Sequence, residues 1–345
     1  MGKPELPPEP IFSFPVSPKE NFKMALDGKT PYWIPRAGWA FCDVHLFRPR
    51  LNPDNVVTRL IFDDEKFPEY ETNKMISSWF GLEWEYSEVA GGSTVHPGNP
   101  KVPDIEKWEE YVSIPSLEEM DFKKCGQINK DYLNTDKLNQ LGILSGYWER
   151  LMSLMDVEGA AIAMIDEDQK EGVHRLFEEL TDLYIGYIQK IKAYNDIDCV
   201  LIHDDWGHQH STFFSIDTCR EMLVQYYKRV SDEIHKLGMY FELHSCGKNQ
   251  TLVPAMIEAG VDLWCPQSMN DYDMLAQTYK DEPIMFGFLE PVLHEGADTE
   301  QIRQIAREWV DKYKDCRVAQ SFRAAPPEFS AAIYEFSRIA YQNAA

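Results

Sequence analysis

The stretch 239-MYFELHSCG-247 is a short apolar run that ends in a histidine, a cysteine and a glycine. In an extended strand residues i and i+2 point to one side, so His244 and Cys246 project an imidazole and a thiol into the same volume. Two readings of the pair compete. One is the start of a metal site, because zinc takes histidine nitrogen and cysteine thiolate. The other is a buried cysteine beside a hydrogen-bonded histidine at a strand end.

The same pattern repeats on both sides. Upstream, 199-CVLIHDD-205 is a near-continuous apolar run closed by two aspartates. Downstream, 261-VDLWCPQ-267, 283-PIMFGFLEP-291 and 316-CRVAQSF-322 are runs of the same kind. Amphipathic helices are expected between and after them, over 216–236, 251–259, 271–280, 299–313 and 327–342. Before them, 141-LGILSG-146 precedes a long helix in which Val173, Leu176, Phe177, Leu180, Tyr184, Tyr187, Ile188 and Ile191 recur at helical spacing. Strands apolar on both faces and separated by such helices mean parallel β-structure with right-handed crossovers. Strands are expected near residues 33, 83, 143, 201, 242, 263, 286 and 319, and eight β–α steps fit a TIM (β/α)8 barrel, of the α/β class. A doubly wound open sheet fits less well, because no glycine-rich dinucleotide turn follows an early strand.

Residues 17–345 are expected to form this one barrel domain, with a proline-rich extended arm over 1–16 and insertions in the first half, over about 40–140. Ser17-Pro18-Lys19-Glu20 reads as a helix start, with a serine cap, a proline in the first turn and a glutamate completing a capping box. Phe22, Ala25 and Leu26 give that helix its apolar face, and Gly28 ends it.

The net charge of −23, from 57 acidic against 34 basic residues, argues against nucleic acid or an anionic membrane as the partner. No apolar run reaches membrane-spanning length. Without a signal pattern, the odd set of seven cysteines reads as free thiols and the expected location is the cytoplasm.

On a barrel, polar residues fall at the C-terminal strand ends: Asp204 and Asp205, His244 and Cys246, Cys265 and Gln267, then Glu290, Ser321 and Arg323. Asp204 and Asp205 suit a general acid or a substrate-orienting group; helix capping and loop hydrogen bonding explain them as well. In 203-HDDWGHQH-210, His203, His208 and His210 surround Trp206 and suit polar substrate contacts. Trp33, Trp39, Trp84, Trp148, Trp206 and Trp264 would line an aromatic pocket for a planar substrate or a quaternary ammonium, or simply fill the core. Arg36 and Arg323 are candidates to hold a substrate carboxylate, with surface ion pairs as the alternative.

The segments 17-SPKENFKMALDGKTPYWIPR-36, 203-HDDWG-207 and 244-HSCG-247 resemble the uroporphyrinogen decarboxylase superfamily. Within it they are most similar to the corrinoid-dependent methyltransferase branch, which includes methyltransferase I and O-demethylase-like enzymes. Through the order of elements from residue 141 onward the likeness extends over nearly the whole chain. The resemblance implies a barrel mouth that holds Zn2+ on His244 and Cys246, a small methyl donor, and a docked corrinoid protein carrying cobalamin. It also implies a departure. Members with a zinc–thiolate site place a third cysteine at the end of the last strand, where this chain reads 319-AQSFRAAPP-327. Cys316 lies at the start of that strand, so Cys265 becomes the expected third ligand, with Glu290 and Asp205 as further substitutes.

The function this implies is transfer of a methyl group from a small methoxylated compound, an aryl methyl ether first, or another methylated compound, to cob(I)alamin. Asp204, Asp205 and His244 are the expected catalytic groups. Arg36, Trp39, His203, Trp206, His208, Gln267, Glu290 and Arg323 are the expected substrate contacts. The reverse half-reaction, from methylcorrinoid to a zinc-bound thiol, is the nearest alternative. Decarboxylation of uroporphyrinogen fits less well, since that enzyme uses no metal and 36-RAGW-39 only partly resembles its arginine-rich substrate loop. A non-catalytic corrinoid-binding or small-ligand-binding protein is the reading from another class, and the sequence leaves room for a homodimer.

Overall fold

The computed structural model describes residues 15–37, 43–51, 63–64, 74–77, 79–87, 92–289, 291, 293, 296–321 and 327–343. Eight parallel strands form one sheet: β1 (Arg36–Ala37), β2 (Val44–Phe47), β6 (Leu138–Leu144), β7 (Cys199–His203), β8 (Tyr240–His244), β9 (Leu263–Trp264), β10 (Met285–Leu289) and β11 (Val318–Ser321). The order is β1-β11-β10-β9-β8-β7-β6-β2, so the first two strands are the sheet's two ends. That is the connectivity of a (β/α)8 barrel, and it is nearly closed. Across the seam Asp43 joins the ends. Its carboxylate accepts from the Arg36 backbone N–H at 2.8 Å and from the Arg36 guanidinium at 3.1 Å.

The helices are α1 (Pro18–Leu26), α2 (Phe122–Ile128), α3 (Tyr147–Ala163), α4 (Lys170–Tyr194), α5 (Ile216–Cys219), α6 (Gln225–Lys236), α7 (Val253–Glu258), α8 (Tyr272–Thr278), α9 (Thr299–Tyr313) and α10 (Pro327–Asn343). A π-turn over Arg220–Val224 joins α5 to α6. In α4 the residues at helical spacing, from Val173 to Ile191, are all buried. Residues facing outward on the strands, such as Ile143, Val200, Ile202, Leu243 and Phe286, pack with them in one large core. Burial of each such side chain contributes about 1.5–3 kcal/mol, which is why helix position follows the apolar stripe.

Inside the barrel, Val44, Leu138, Cys199, Leu263, Met285 and Ala319 form a separate cluster with Phe22, Ala25 and Leu26 of α1. These are the first inward residues of their strands, so α1 plugs the N-terminal end. Ser17 and Glu20 close the capping box that starts α1. Ion pairs from Lys19 and Lys23 to Asp198, at the foot of β7, pin the plug in place. The chemistry is thereby left to the opposite end.

One expected strand is elsewhere. The segment near residue 83 is not in the barrel; β4 (Glu83–Ser87) lies between β3 (Lys74–Ile76) and β5 (Gly92–Val95) in a separate antiparallel ribbon. The cause is readable in Glu83-Trp84-Glu85, where exposed Glu83 precedes buried Trp84: alternation suits a sheet with one wet face, not a strand buried on both. The barrel's second strand is Val44–Phe47, in the insertion-rich region. Residues 1–14 of the expected arm lie outside the described residues.

Burial works against the charge on Asp198, but hydrogen bonds from Lys23 and Lys19 outweigh it and hold the carboxyl below its usual 3.8. A depressed carboxyl contributes stability above its unfolded pKa and loses it as pH falls through the folded value. Asp198→Asn is therefore expected to lower unfolding free energy by about 2 kcal/mol at pH 7. In denaturant titrations the gap from wild type should narrow as the pH drops below about 4.

Candidate functional site

Strands β7 and β8 pair in register, with His203 beside His244 at their C-terminal ends. The two rings stack with centroids 4.5 Å apart and planes 21° apart. The turns that follow add Asp205 and Cys246. One ligand atom from each of His203, Asp205, His244 and Cys246 lies within 4.8 Å of the others, and all four residues are half-buried. Cys246 Sγ is 3.4 Å from His244 Nε2, and Asp205 Oδ1 is 3.9 Å from His203 Nε2. The Cys246 backbone N–H donates to Asp205 Oδ1 at 2.7 Å, which ties the two turns together.

The glycine after Cys246 has a steric reason. Gly247 has φ +92°, and a methyl there would lie 2.3 Å from the carbonyl carbon of Gly207. The two strand-end loops cross in backbone contact at this point. Side-chain amides lock the crossing. Gln267 accepts from the Gly247 N–H at 2.8 Å, Asn270 donates to the Gly247 carbonyl at 2.9 Å, and Asn249 donates to Ser245 Oγ at 2.9 Å.

The adjacent aspartates do different work. Asp204 is fully buried and accepts from the backbone N–H groups of Trp148 and Glu149 at 3.2 and 2.8 Å, from Trp206 Nε1 at 2.9 Å and from the Tyr227 hydroxyl at 2.7 Å. It caps the first turn of α3, where the orphan N–H groups need an acceptor. In extended chain its neighbour faces the other way, so Asp205 enters the cluster. The first turn of α3 also presents Glu149, whose Oε2 lies 2.8 Å from His203 Nδ1. A carboxylate on Nδ1 fixes the ring so that Nε2 faces the other donors.

Burial works against charge on His203, but Glu149 and Asp205 outweigh it and hold its pKa up to about 9. Burial, together with that nearby charge, presses His244 down to about 3. Burial lifts Glu149 to about 7 despite His203, and burial followed by Asp205 raises the Cys246 thiol. Burial opposes charge on Asp205 too, but the charge on His203 and the hydrogen bond from the Cys246 N–H hold its carboxyl below the ordinary range. Near neutral pH the cluster thus holds its protons on His203 and Cys246.

The other expected site residues are placed as follows. Cys265 is not among the four: its thiol turns to Glu242 and Ser321 inside the barrel, in space left by the missing side chain of Gly287. His203, expected to touch substrate, stands with the donors. Asp204 and fully buried Trp206 hold the loop instead of facing the mouth. Arg36 is buried against Asp43, a poor place for a substrate clamp. Gln267 supports the Gly247 turn, and His208 is exposed beside Phe213. Trp33, Trp148 and Trp264 fill the core. Trp39, Glu290 and Arg323 lie outside the described residues. Glu149 was not foreseen, although its place just after a barrel strand, in 141-LGILSGYWE-149, is a signal that was there to use.

The donors fit zinc. Bonds of about 2.0 Å to nitrogen and oxygen and about 2.3 Å to sulfur give tetrahedral edges of roughly 3.3–3.6 Å. The His244–Cys246 separation of 3.4 Å already falls in that range. Two imidazoles, a carboxylate and a thiol are all accepted zinc ligands.

Fold and cluster together define a TIM-barrel protein with a metal-type donor set at the C-terminal mouth. Residues 75–319 match uroporphyrinogen decarboxylase (URO-D), and the chain belongs to that enzyme family. Among solved structures it is similar to a methyltransferase from Methanosarcina mazei, at 13% identity and TM-score 0.59, over 95% of this chain and 99% of that one. A B12-independent methionine synthase from Shewanella sp. W3-18-1 is similar at 10% identity and TM-score 0.44, over 68% and 70% of the respective chains. No curated protein matches by sequence.

Substitutions at the two aspartates should separate scaffold from donor set. Asp204→Asn is expected to destabilise the fold by about 3 kcal/mol in chemical denaturation, because four buried donors then face an amide. Asp205→Asn should change stability by less than about 1 kcal/mol while weakening zinc binding at least about tenfold. For the metal, plasma emission analysis is expected to find about one zinc per chain, lost in His244→Ala or Cys246→Ala. Protons on His203 and Cys246 must leave on loading, so zinc affinity should rise with pH toward about 9. Competition against a chromophoric chelator between pH 6 and pH 9 reads that slope, and a flat profile contradicts it.

Proposed function

We propose that the protein is a methyltransferase that moves a methyl group from a small methoxylated or otherwise methylated compound to the cob(I)alamin of a separate corrinoid protein. The observation that supports this most is the His203–Asp205–His244–Cys246 cluster at the barrel mouth of a chain in this family. Cobalamin supplies the nucleophile, and the protein's task is to hold the donor and ease departure of its heteroatom.

A zinc ion held by these donors, with one of the four positions yielded to the substrate, would polarise the heteroatom that keeps the bonding pair. Glu149 holds His203 in one ring orientation. Asp205, fixed by the Cys246 N–H, holds negative charge at the mouth. The donor set has one thiolate among oxygen and nitrogen ligands. That is a harder set than two thiolates, and it favours an oxygen or nitrogen leaving group over activation of a thiol. Decarboxylation of uroporphyrinogen lacks support from Arg36, whose guanidinium is committed to Asp43.

The test is incubation with a reduced corrinoid carrier and a panel of methoxyarenes, methylated amines and thioethers. Formation of methylcobalamin absorbance with one donor class is the expected result, with turnover falling at least about a hundredfold in His244→Ala. Absence of methylcobalamin with every donor refutes the reading, and methyl transfer to an added thiol would favour the reverse direction.

A further inference from the structure

Four protein donors fill a tetrahedral zinc ion, whereas a zinc ion that acts on a substrate keeps one position for it. One of His203, Asp205, His244 and Cys246 therefore has to give way. The four are not held alike. His244 Nε2 and Cys246 Sγ already stand 3.4 Å apart, at the edge length of a zinc tetrahedron. The His203 ring is fixed from behind by Glu149, whose Oε2 is 2.8 Å from its Nδ1, and it stacks on His244.

Asp205 differs in three respects. Its Oδ1 is 3.9 Å from His203 Nε2, beyond the roughly 3.3 Å that separates two oxygen or nitrogen ligands of zinc. The same oxygen accepts from the Cys246 backbone N–H at 2.7 Å, so a partner is in place for the carboxylate when it is off the metal. Its side chain is 28% exposed against 13% for His203, which leaves it the nearer of the two to the open mouth.

We infer that Asp205 is the donor that gives up its place to the substrate's heteroatom, while His203, His244 and Cys246 stay bound as a permanent set of two nitrogens and one sulfur. The exchange breaks one carboxylate–metal bond and forms one heteroatom–metal bond, and no electron changes hands. It also changes the local charge. Two neutral imidazoles and one thiolate leave a divalent ion with one positive charge, which a bound carboxylate would cancel. That charge is then available where the departing heteroatom becomes negative. The inference rests on the fit of the donors to zinc, and of the methyl-transfer reading it uses only that a heteroatom binds at the mouth.

The test uses the full chain loaded with Co(II) in place of zinc and azide as the incoming ligand, followed by X-ray absorption and visible spectra. Wild type is expected to hold Co(II) in four-coordinate form with one sulfur, and to remain four-coordinate with that sulfur when azide binds. Asp205→Asn keeps an acceptor for the Cys246 N–H and removes the anionic ligand. At saturating metal it should hold about one Co(II) per chain. It should bind azide at least about tenfold more tightly than wild type, since no carboxylate has to leave first. Asp205→Ala, which offers no oxygen, should give the same result, and His203→Ala should lose the metal. Five-coordinate Co(II) in azide-bound wild type or loss of its sulfur overturns the inference. So does equal azide affinity in wild type and both Asp205 variants, no azide binding to any of them, loss of the metal from both variants, or its retention in His203→Ala. Failure of wild type to hold Co(II) overturns it together with the zinc reading. Neither cobalamin nor turnover enters these measurements, so failure of methyl transfer leaves their outcome standing, and their failure leaves methyl transfer to be judged by methylcobalamin formation.

Discussion

Donors from Trp148, Glu149, Trp206 and Tyr227 converge on the buried carboxylate of Asp204. A charged group taken out of water persists only where hydrogen bonds replace its hydration, and here the replacement is complete enough to fix geometry. The end of β7, the first turn of α3 and the Tyr227 side chain are all referred to this one group. Because successive residues of an extended chain face opposite ways, anchoring Asp204 inward sends Asp205 to the mouth. Because the same carboxylate caps α3, it also sets where Glu149 meets His203. The geometry of the mouth thus depends on a residue that does not line it.

The closed end of the barrel contributes by exclusion. Helix α1 fills the N-terminal opening with Phe22 and Leu26 and is held by Asp198, while the four clustered donors stand at the other rim. At that rim the loops after β7 and β8 touch through Gly207 and Gly247. The contact brings the His-Asp-Asp and His-Ser-Cys turns close enough for four donors to share a volume.

Much of this was legible along the chain. Apolar runs ending at Asp204, His244 and Trp264 marked parallel strands, and the helical stripe from Val173 to Ile191 marked the long helix beside them. The His-x-Cys spacing marked two of the donors, since period-two geometry is local. The strand near 83 was misplaced because a short apolar alternation does not say which sheet it joins. Cys265 was expected at the mouth because its place after a strand is the same as that of Cys246. The difference lies in Gly287, on a neighbouring strand, which opens room for the thiol inside the barrel.

Legible in the chain alone were the alternation of strands and helices, the capped first helix, and the pairing of an imidazole with a thiol on one side of a strand. Each of these rests on side-chain periodicity and turn chemistry within a few residues. It took the fold to show which of two adjacent aspartates is buried, that His203 stands with His244, and that Glu149 reaches His203 from 54 positions away. Those facts depend on register between strands and on which carboxylate finds enough donors in the interior. Such partners are distant along the chain, and no local pattern records them.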